Sequence, residues 1–248
     1  MSTPILYVFA ISHYCEKARW ALDYLGIDYR LQYLAPGPHV QLTRAHQLAD
    51  TSLPVLIDGD FALQGSAPII DWAIEREGIP GRSLVSADPA ASRDIEQRLD
   101  REFGVHVRRY YYSDALINQP ASVRPMFAGQ LPWRQKLVLR LAWGKIVGLM
   151  IRGMDLGTAQ GRESRAIVQA ELDWLDGLLE DGRRYLVGDR LSRTDISTAA
   201  LLSPLALPPA HPTYGRLQVP EAIGLDIANW QSRPSIRWTH DMYRRYRE

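Results

Sequence analysis

Residues 12–19 read Ser-His-Tyr-Cys-Glu-Lys-Ala-Arg and follow a short apolar stretch, Ile5–Phe9. The apolar stretch predicts a buried strand. The helical spacing of the apolar residues that come next predicts a helix over residues 15–25, which Gly26 ends. Ser12 and Cys15 therefore lie about one turn apart where that helix begins. A helix start has unpaired N–H groups and a partial positive charge, so it stabilises a thiolate, including one that a ligand brings.

The composition is that of an ordinary globular protein of 248 residues, 46% hydrophobic and 23% charged. A formal net charge of +1 indicates neither nucleic acid nor an anionic membrane surface as a partner. Cys15 is the single cysteine, which excludes an intrachain disulfide and favours a reducing compartment. The apolar run over residues 4–11 is too short to span a membrane and lacks the order of a signal peptide. We therefore expect a cytoplasmic protein that binds neither nucleic acid nor membrane.

Strand and helix signals alternate over the first third of the chain in the order β-α-β-α-β-β-α. This part includes a hairpin over residues 54–63, with the turn Asp58-Gly59-Asp60, and a helix that begins at Ser66. The order predicts a mixed sheet with helices packed on it over residues 1–79. A linker is predicted at residues 80–89, and residues 90–248 are predicted to be helical. The periodic segments there are residues 90–116, 131–154, 162–179 and 194–205, with a last helix from Pro234.

Ser12 and Cys15 each allow two interpretations. A serine at a helix start is commonly the N-cap, and its O–H is equally suited to donate a hydrogen bond to a sulfur held over the helix. A lone cysteine is most often a small buried side chain, and the alternative is a redox or nucleophilic thiolate. Disulfide chemistry between two cysteines of this chain is excluded, because the position that would need the second cysteine is Ser12.

Two further short motifs flank the hairpin. Leu53-Pro54 precedes its first strand. The proline is either a strand-entry residue or, with a cis peptide bond, it turns the Leu53 backbone towards an extended ligand. The sequence leaves these alternatives open. Gln64-Gly65-Ser66 follows the second strand. We expect Ser66 to cap a helix, and its N–H and hydroxyl also suit a carboxylate.

Four motifs, in this order, resemble those of the cytosolic glutathione transferase superfamily in its serine-type form. The first three lie in the first third of the chain, and the fourth predicts a helix N-capping box in the second half. They are Ser12-x-x-Cys15-x-Lys17-Ala18-Arg19, Leu53-Pro54-Val55-Leu56, Ser66-x-x-Ile69 and Gly188-Asp189-x-x-Ser192-x-x-Asp195. The resemblance implies an α/β thioredoxin-like N-terminal domain followed by an all-α C-terminal helical bundle. It also implies a homodimer and a role in detoxification.

The resemblance implies a role for each motif of the N-terminal domain. Ser12 stabilises the thiolate of glutathione, the co-substrate, which is added to a small hydrophobic electrophile without a metal ion. Leu53, before a cis Pro54, pairs with the cysteinyl backbone of glutathione, and Ser66 holds the γ-glutamyl carboxylate. Tyr7 is not the catalytic residue, because the register against the tyrosine-type classes places their tyrosine one residue later.

The chain departs from the family at two positions. Many relatives have Glu, Gln or Asp at the position of Gly65, for the γ-glutamyl amine of glutathione. A basic or amide residue often stands at the position of Ser52, for the glycyl carboxylate. His39 and Arg44 of the second helix are candidates to replace the latter, the alternative being that both are surface residues.

Two alternatives to a transferase therefore stay open. One is a glutathione-dependent thiol reductase that forms a mixed disulfide through Cys15. The other is a non-enzymatic member of the fold that binds a hydrophobic ligand or a protein partner, which the departures at Gly65 and Ser52 favour.

The electrophile is expected between the two domains, opposite Ser12. One wall is the long helix near residues 106–112, and three consecutive tyrosines there cannot all face the site, because successive helix residues turn by ~100°. The candidate lining residues are Tyr14, His106, Tyr110 and Tyr111, with Tyr112, Met126 and Trp133 as further candidates. Packing in the core is the alternative for Met126 and Trp133.

Overall fold

A four-stranded mixed sheet forms the centre of the N-terminal domain in the structure, a computed structural model that describes residues 3–76, 78–214 and 219–247. The strands are β1 Ile5–Val8, β2 Arg30–Tyr33, β3 Val55–Asp58 and β4 Phe61–Gln64. Their order is β2-β1-β3-β4, in which β1 pairs parallel with β2 and antiparallel with β3. The predicted mixed sheet and hairpin are confirmed.

Three helices accompany this sheet, α1 His13–Leu25, α2 Pro38–Ala45 and α3 Ser66–Ile74, and α3 packs on β3 and β4. The helix α1 ends at Gly26, as predicted, and the φ of +70° at this glycine is in the left-handed region that a glycine adopts without strain. The apolar faces of α1 and α3 pack against each other, and Ala21 of α1 and Ile69 of α3 are fully buried. These apolar faces hold the N-terminal domain together.

The remainder of the described chain is helical. Its helices are α4 Pro89–Arg98, α5 Val105–Asn118, α6 Pro120–Ala128, α7 Trp133–Gly153, α8 Thr158–Leu178, α9 Arg193–Ala206, α10 Glu221–Trp230 and α11 Pro234–Tyr246. The segment predicted as one helix over residues 90–116 is divided, because the π-helical turn Leu99–Gly104 separates α4 from α5. The sequence pattern also misses α6, which contains Pro125, and α10. No helix within residues 3–76, 78–214 and 219–247 combines the length and the apolar character needed to cross a bilayer.

The helix α9 is the centre of the helical domain, and its residues from Thr194 to Ala206 are all buried. The predicted capping box stands at its start, where the Asp195 carboxylate accepts the Ser192 N–H at 2.8 Å. The thioredoxin-like N-terminal domain and the helical C-terminal region are thus both present, as the resemblance implies.

A buried ion network joins the two domains. Lys17 of α1 is fully enclosed, and its Nζ lies 2.9 Å from a Glu96 oxygen and 2.7 Å from an Asp100 oxygen. Arg193 of α9 lies 2.7 Å from Glu96 and also pairs with Asp71 of α3. Burial alone would raise the pKa of the Glu96 carboxyl, but Lys17 and Arg193 outweigh it and lower that pKa. Glu96 is therefore ionised, and the network fixes α1 and α3 against α4 and α9.

Replacing Lys17 with methionine should lower the free energy of unfolding by about 3–5 kcal/mol, because two carboxylates at the interface then lose their shared cation. Equilibrium unfolding in urea measures this loss. Lys136→Met, which removes an exposed lysine from α7, is the matched control and should change the stability by about 0.5 kcal/mol or less. A Lys17→Met protein as stable as the control would contradict a structural role for the network.

Candidate functional site

The sheet edge at the end of β1 brings Ser12 and Leu53 together. Tyr7 of β1 pairs with Val55 of β3 in antiparallel register, so the chain that leaves β1 lies beside the chain that enters β3. The Leu53–Pro54 peptide bond is cis, as the resemblance implies. In the described part of the chain, nothing hydrogen-bonds to the main chain of Leu53. An extended ligand could therefore pair with it while it reaches Ser12.

Ser12 is the N-cap of α1, and its Oγ accepts the Cys15 N–H at 3.3 Å. The capping interpretation is thereby confirmed. A serine hydroxyl has one proton and two acceptor lone pairs, so capping uses a lone pair and leaves the proton free to rotate towards a ligand. Capping the helix and donating to a ligand sulfur are thus compatible roles for one side chain.

The loop after α9 holds the turn in front of Ser12. The Tyr214 hydroxyl donates to the Ile11 carbonyl at 3.1 Å, and the Thr213 hydroxyl donates to the Ala10 carbonyl at 2.8 Å. Both carbonyls belong to the turn between β1 and α1. The helical domain therefore fixes the backbone that presents the serine.

On the other side of Ser12, two side chains of α1 reach the π-helical turn. The His13 Nε2 and the Gly104 carbonyl are 3.0 Å apart, and the Tyr14 hydroxyl donates to the Asp100 carbonyl at 2.6 Å. A Cβ at position 104 would lie 2.5 Å from the Tyr14 oxygen, so only a glycine permits this approach. The start of α1 is thereby held against the helical domain by both its neighbours.

A cavity of about 760 Å³, called the cleft below, opens in front of Ser12 between the two domains. From the N-terminal domain it is lined by Phe9, Ser12, His13, Tyr14, His39 and Leu53, among others. From the helical domain it is lined by Arg108, Tyr111, Tyr112, Met126, Phe127 and Ile146, among others. Most of these side chains are apolar or aromatic, which suits a small hydrophobic molecule.

The predicted wall residues divide into two groups. Tyr14, Tyr111, Tyr112 and Met126 line the cleft. His106 and Tyr110 do not line the cleft, so these two predictions are corrected. Both lie on the other side of α5. There His106 Nδ1 is 3.0 Å from the Ser164 hydroxyl, and the Tyr110 hydroxyl donates to Asp226 at 2.6 Å. Trp133 is also outside the cleft and is 69% exposed.

Cys15 packs beneath the site and does not line the cleft. Its side chain is buried, and its sulfur accepts the Phe9 N–H at 3.4 Å. Burial raises the pKa of the Cys15 thiol to about 12, although the contacts with Ser12 and the Phe9 N–H act to lower it. The thiol is therefore protonated near neutral pH, which disfavours a reductase mechanism through Cys15.

His39 and Arg44, the two candidates for binding the glycyl carboxylate, are placed differently. His39 lines the cleft, where its Nδ1 accepts the Gly37 N–H at 2.9 Å. Burial lowers the pKa of His39, so its ring is neutral near neutral pH. Arg44 is exposed and does not line the cleft. Of the two, only His39 is in a position to contact a ligand there, as an uncharged ring.

Pro54, Gly65 and Ser66 follow Leu53 along the chain and, unlike it, do not line the cleft. Gly65 is the N-cap of α3, and Ser66 is the first helical residue, which corrects the expectation that Ser66 is the cap. The φ of Gly65 is +96°, a conformation that side-chain-bearing residues rarely adopt. The backbone therefore accounts for a glycine where many relatives have an acidic or amide residue.

The sequence analysis missed the role of Gln64 and did not name Arg108. The Gln64 amide donates to the Asp50 and Ser52 carbonyls at 2.8 and 2.9 Å and accepts the Asp50 N–H at 3.1 Å. It thus fixes the loop that ends at Leu53. Arg108 lines the cleft from α5. Arg108 lies three residues before Tyr111, so the two side chains share one face of the helix. This spacing is the sequence signal that could have identified Arg108 as a cleft residue.

No group of three or more His, Cys, Asp or Glu side chains among the described residues could hold a metal ion.

A family model of the glutathione S-transferase N-terminal domain matches residues 6–81. The resemblance to the glutathione S-transferase superfamily is confirmed. A search of curated protein sequences gives no match to the chain. The matched range contains Ser12, Leu53 and Ser66, so the family model covers the part of the chain in which these motifs lie.

Solved glutathione transferases share the fold of nearly the whole chain. One from Xanthobacter autotrophicus is 16% identical, with a TM-score of 0.62 over 96% of this chain and 91% of that chain. One from Phanerochaete chrysosporium is 14% identical, with a TM-score of 0.62 over 99% and 98%. One from Methylobacillus flagellatus, solved with glutathione bound, is 21% identical, with a TM-score of 0.52 over 96% and 98%. At these identities the similarity shows a common fold.

The buried His13 makes stability depend on pH. Burial, followed by the charges of Arg108 and Lys17, lowers the pKa of His13 to about 3. The unfolded chain binds a proton at this residue near a pKa of about 6.5, and the folded chain does not, so stability is lost as the pH falls below that value. Between about pH 7 and about pH 5.5, His13 should remove about 1 kcal/mol of unfolding free energy.

Urea unfolding of the wild type and of His13→Gln at both pH values measures this contribution. Between the two pH values, the free energy of unfolding should fall by about 1 kcal/mol less in the variant than in the wild type, because glutamine has no proton to gain. Equal losses in the two proteins would contradict a neutral, buried His13.

Proposed function

We propose that this protein is a glutathione transferase that conjugates glutathione to a small hydrophobic electrophile. The observation that carries the proposal is the placement of Ser12. Its hydroxyl caps α1 and keeps a proton for a ligand sulfur, and it lines the same apolar cleft as Leu53. A peptide-like ligand that bears a thiol could pair with the Leu53 main chain and place its sulfur at the Ser12 hydroxyl.

In the proposed reaction, glutathione pairs with Leu53 and places its sulfur over the start of α1. The thiol proton leaves to water, and the Ser12 O–H and the helix N–H groups stabilise the thiolate that forms. The sulfur lone pair then forms the carbon–sulfur bond with the electrophile, and the leaving group departs with the electron pair of its own bond. The protein contributes activation of the thiol and positioning of the two reactants.

Three further parts complete the proposal. A cytoplasmic location is supported by the single unpaired cysteine, which favours a reducing compartment. A homodimer and a role in detoxification rest on the resemblance. The size and apolar lining of the cleft support a hydrophobic second substrate.

A non-enzymatic binding protein is the second candidate. It is favoured by Gly65, which offers no side chain to the γ-glutamyl amine, and by Ser52, which has a neutral hydroxyl where a basic or amide side chain would bind the glycyl carboxylate. Calorimetric titration with glutathione separates the two candidates. A transferase requires measurable binding, and a wild-type protein that binds no glutathione would leave only the second candidate.

Removing the hydroxyl of Ser12 should lower kcat/KM for a neutral aryl halide about ten- to hundredfold, because a hydrogen bond to the charged sulfur is lost. Ser12→Gly is the preferred variant, since glycine at an N-cap costs only a few tenths of a kcal/mol. Ser12→Thr retains a hydroxyl and should recover part of the activity. The thiolate absorbance of bound glutathione, followed against pH, should show a raised thiol pKa in Ser12→Gly.

Cys15→Ala is the matched control for the neighbouring thiol. It should retain conjugation within about twofold, because Cys15 is buried and does not line the cleft. If Ser12→Gly conjugates as fast as the wild type, the hydroxyl has no part in the reaction. If Cys15→Ala abolishes reduction of a glutathione mixed disulfide while conjugation is absent from the wild type, the reductase alternative replaces the transferase.

A further inference from the structure

The cleft contains a cation with no counterion. Arg108 of α5 lies in the helical-domain wall of the cleft that Ser12 and His13 line from the other domain. Among the described residues, Arg108 has neither an ion pair nor a hydrogen bond, and its Nε is buried without a partner. An unsatisfied buried donor is costly in a folded protein, so it calls for an acceptor that the chain itself does not provide.

Three other arginines of the helical domain, among them the next residue along the chain, each have a carboxylate partner. Arg98 lies 2.9 Å from Glu171, Arg109 lies 2.6 Å from Asp155, and Arg165 contacts Asp226 through two nitrogens. Arg109 follows Arg108 directly and points to carboxylates outside the cleft. The unpaired state of Arg108 therefore reflects its position in the cleft and not a shortage of carboxylates in the helical domain.

A second donor stands beside the first. Tyr111 follows Arg108 by three residues, so the two side chains share one face of α5, and both line the cleft. The Tyr111 hydroxyl is also buried without a hydrogen-bond partner. A guanidinium and a phenol O–H on one wall, both without acceptors, match the two oxygens of a carboxylate.

The other titratable groups of the cleft leave this charge uncompensated. His13 and His39 have lowered pKa values because they are buried, and both are neutral near neutral pH. Burial raises the pKa values of Tyr14, Tyr111 and Tyr112, so these phenols keep their protons. Asp50, the carboxylate among the lining residues, is exposed at the loop that Gln64 holds. The interior of the cleft is therefore positively charged.

We infer that the second substrate is an anionic amphiphile, an apolar electrophile that bears a carboxylate bound by Arg108 and Tyr111. Its apolar part would pack against Met126, Phe127 and Ile146, which line the same cleft. The inference rests on the proposed transferase function and narrows the substrate class of that site. Arg108 and Tyr111 are thus specificity residues for the electrophile, while Ser12 acts on the thiol.

The test compares two electrophiles that differ only in charge, 4-chloro-3,5-dinitrobenzoate and the corresponding benzamide. Each kcat/KM is divided by the rate of the uncatalysed reaction with glutathione, which removes the difference in ring reactivity. The wild type should prefer the carboxylate about ten- to hundredfold, the range expected for hydrogen bonds to a charged group. Arg108→Gln should lower kcat/KM for the carboxylate at least about tenfold more than for the amide.

Two variants and one binding measurement complete the design. Arg140→Gln removes an exposed arginine of α7 that does not line the cleft, and should keep the wild-type preference. Tyr111→Phe should lower the preference about three- to tenfold, because it removes one neutral donor. Calorimetry with S-hexylglutathione should give the same Kd for Arg108→Gln and the wild type.

The outcomes separate the inference from the function on which it rests. If the wild type conjugates neither electrophile, the transferase proposal fails. If it conjugates both with equal normalised kcat/KM, the transferase stands and the anionic substrate class is overturned, whether or not Arg108→Gln folds. If Arg108→Gln binds S-hexylglutathione much more weakly, Arg108 serves glutathione and the inference is likewise overturned.

Discussion

The enclosed ammonium group of Lys17 is the constraint on which the rest of the structure depends. It stands between Glu96 and Asp100, two carboxylates of the other domain, and Arg193 extends the contact to α3. Charges buried at such a place are tolerated only when their partners are fixed. The network therefore sets the position of α1 against the helical domain, and the cleft is the space that this position leaves open.

The same contact surface orients the start of α1, where Ser12 lies. His13 and Tyr14, the first residues of α1, reach the π-helical turn, and Tyr214 binds the turn that precedes Ser12. The serine thus stands on a backbone held from both sides. A preorganised donor loses little free energy to reorganisation when charge develops on a ligand. This arrangement explains how a single hydroxyl at a helix start could control thiol chemistry without help from Cys15.

Local features of the site could be predicted from the sequence. The cap at Ser12, the left-handed Gly26 and the capping box at Ser192 depend on residues within one turn, and all three are present. His106 and Tyr110 were misplaced because their partners lie 58 and 116 residues away along the chain. The absence of a counterion at Arg108 could not be predicted either. It depends on which carboxylates the folded helical domain places beside the other arginines and away from Arg108.

The π-helical turn Leu99–Gly104 carries a consequence for how such a cleft diversifies. A π turn holds more residues than an α turn, so it sets the angular phase of every residue that follows it in α5. Gain or loss of one residue in this turn would rotate that helix by about 100° and carry Arg108 out of the cleft. The set of side chains that line the cleft therefore depends on the length of a short segment as well as on its sequence, and one insertion could change several wall residues together.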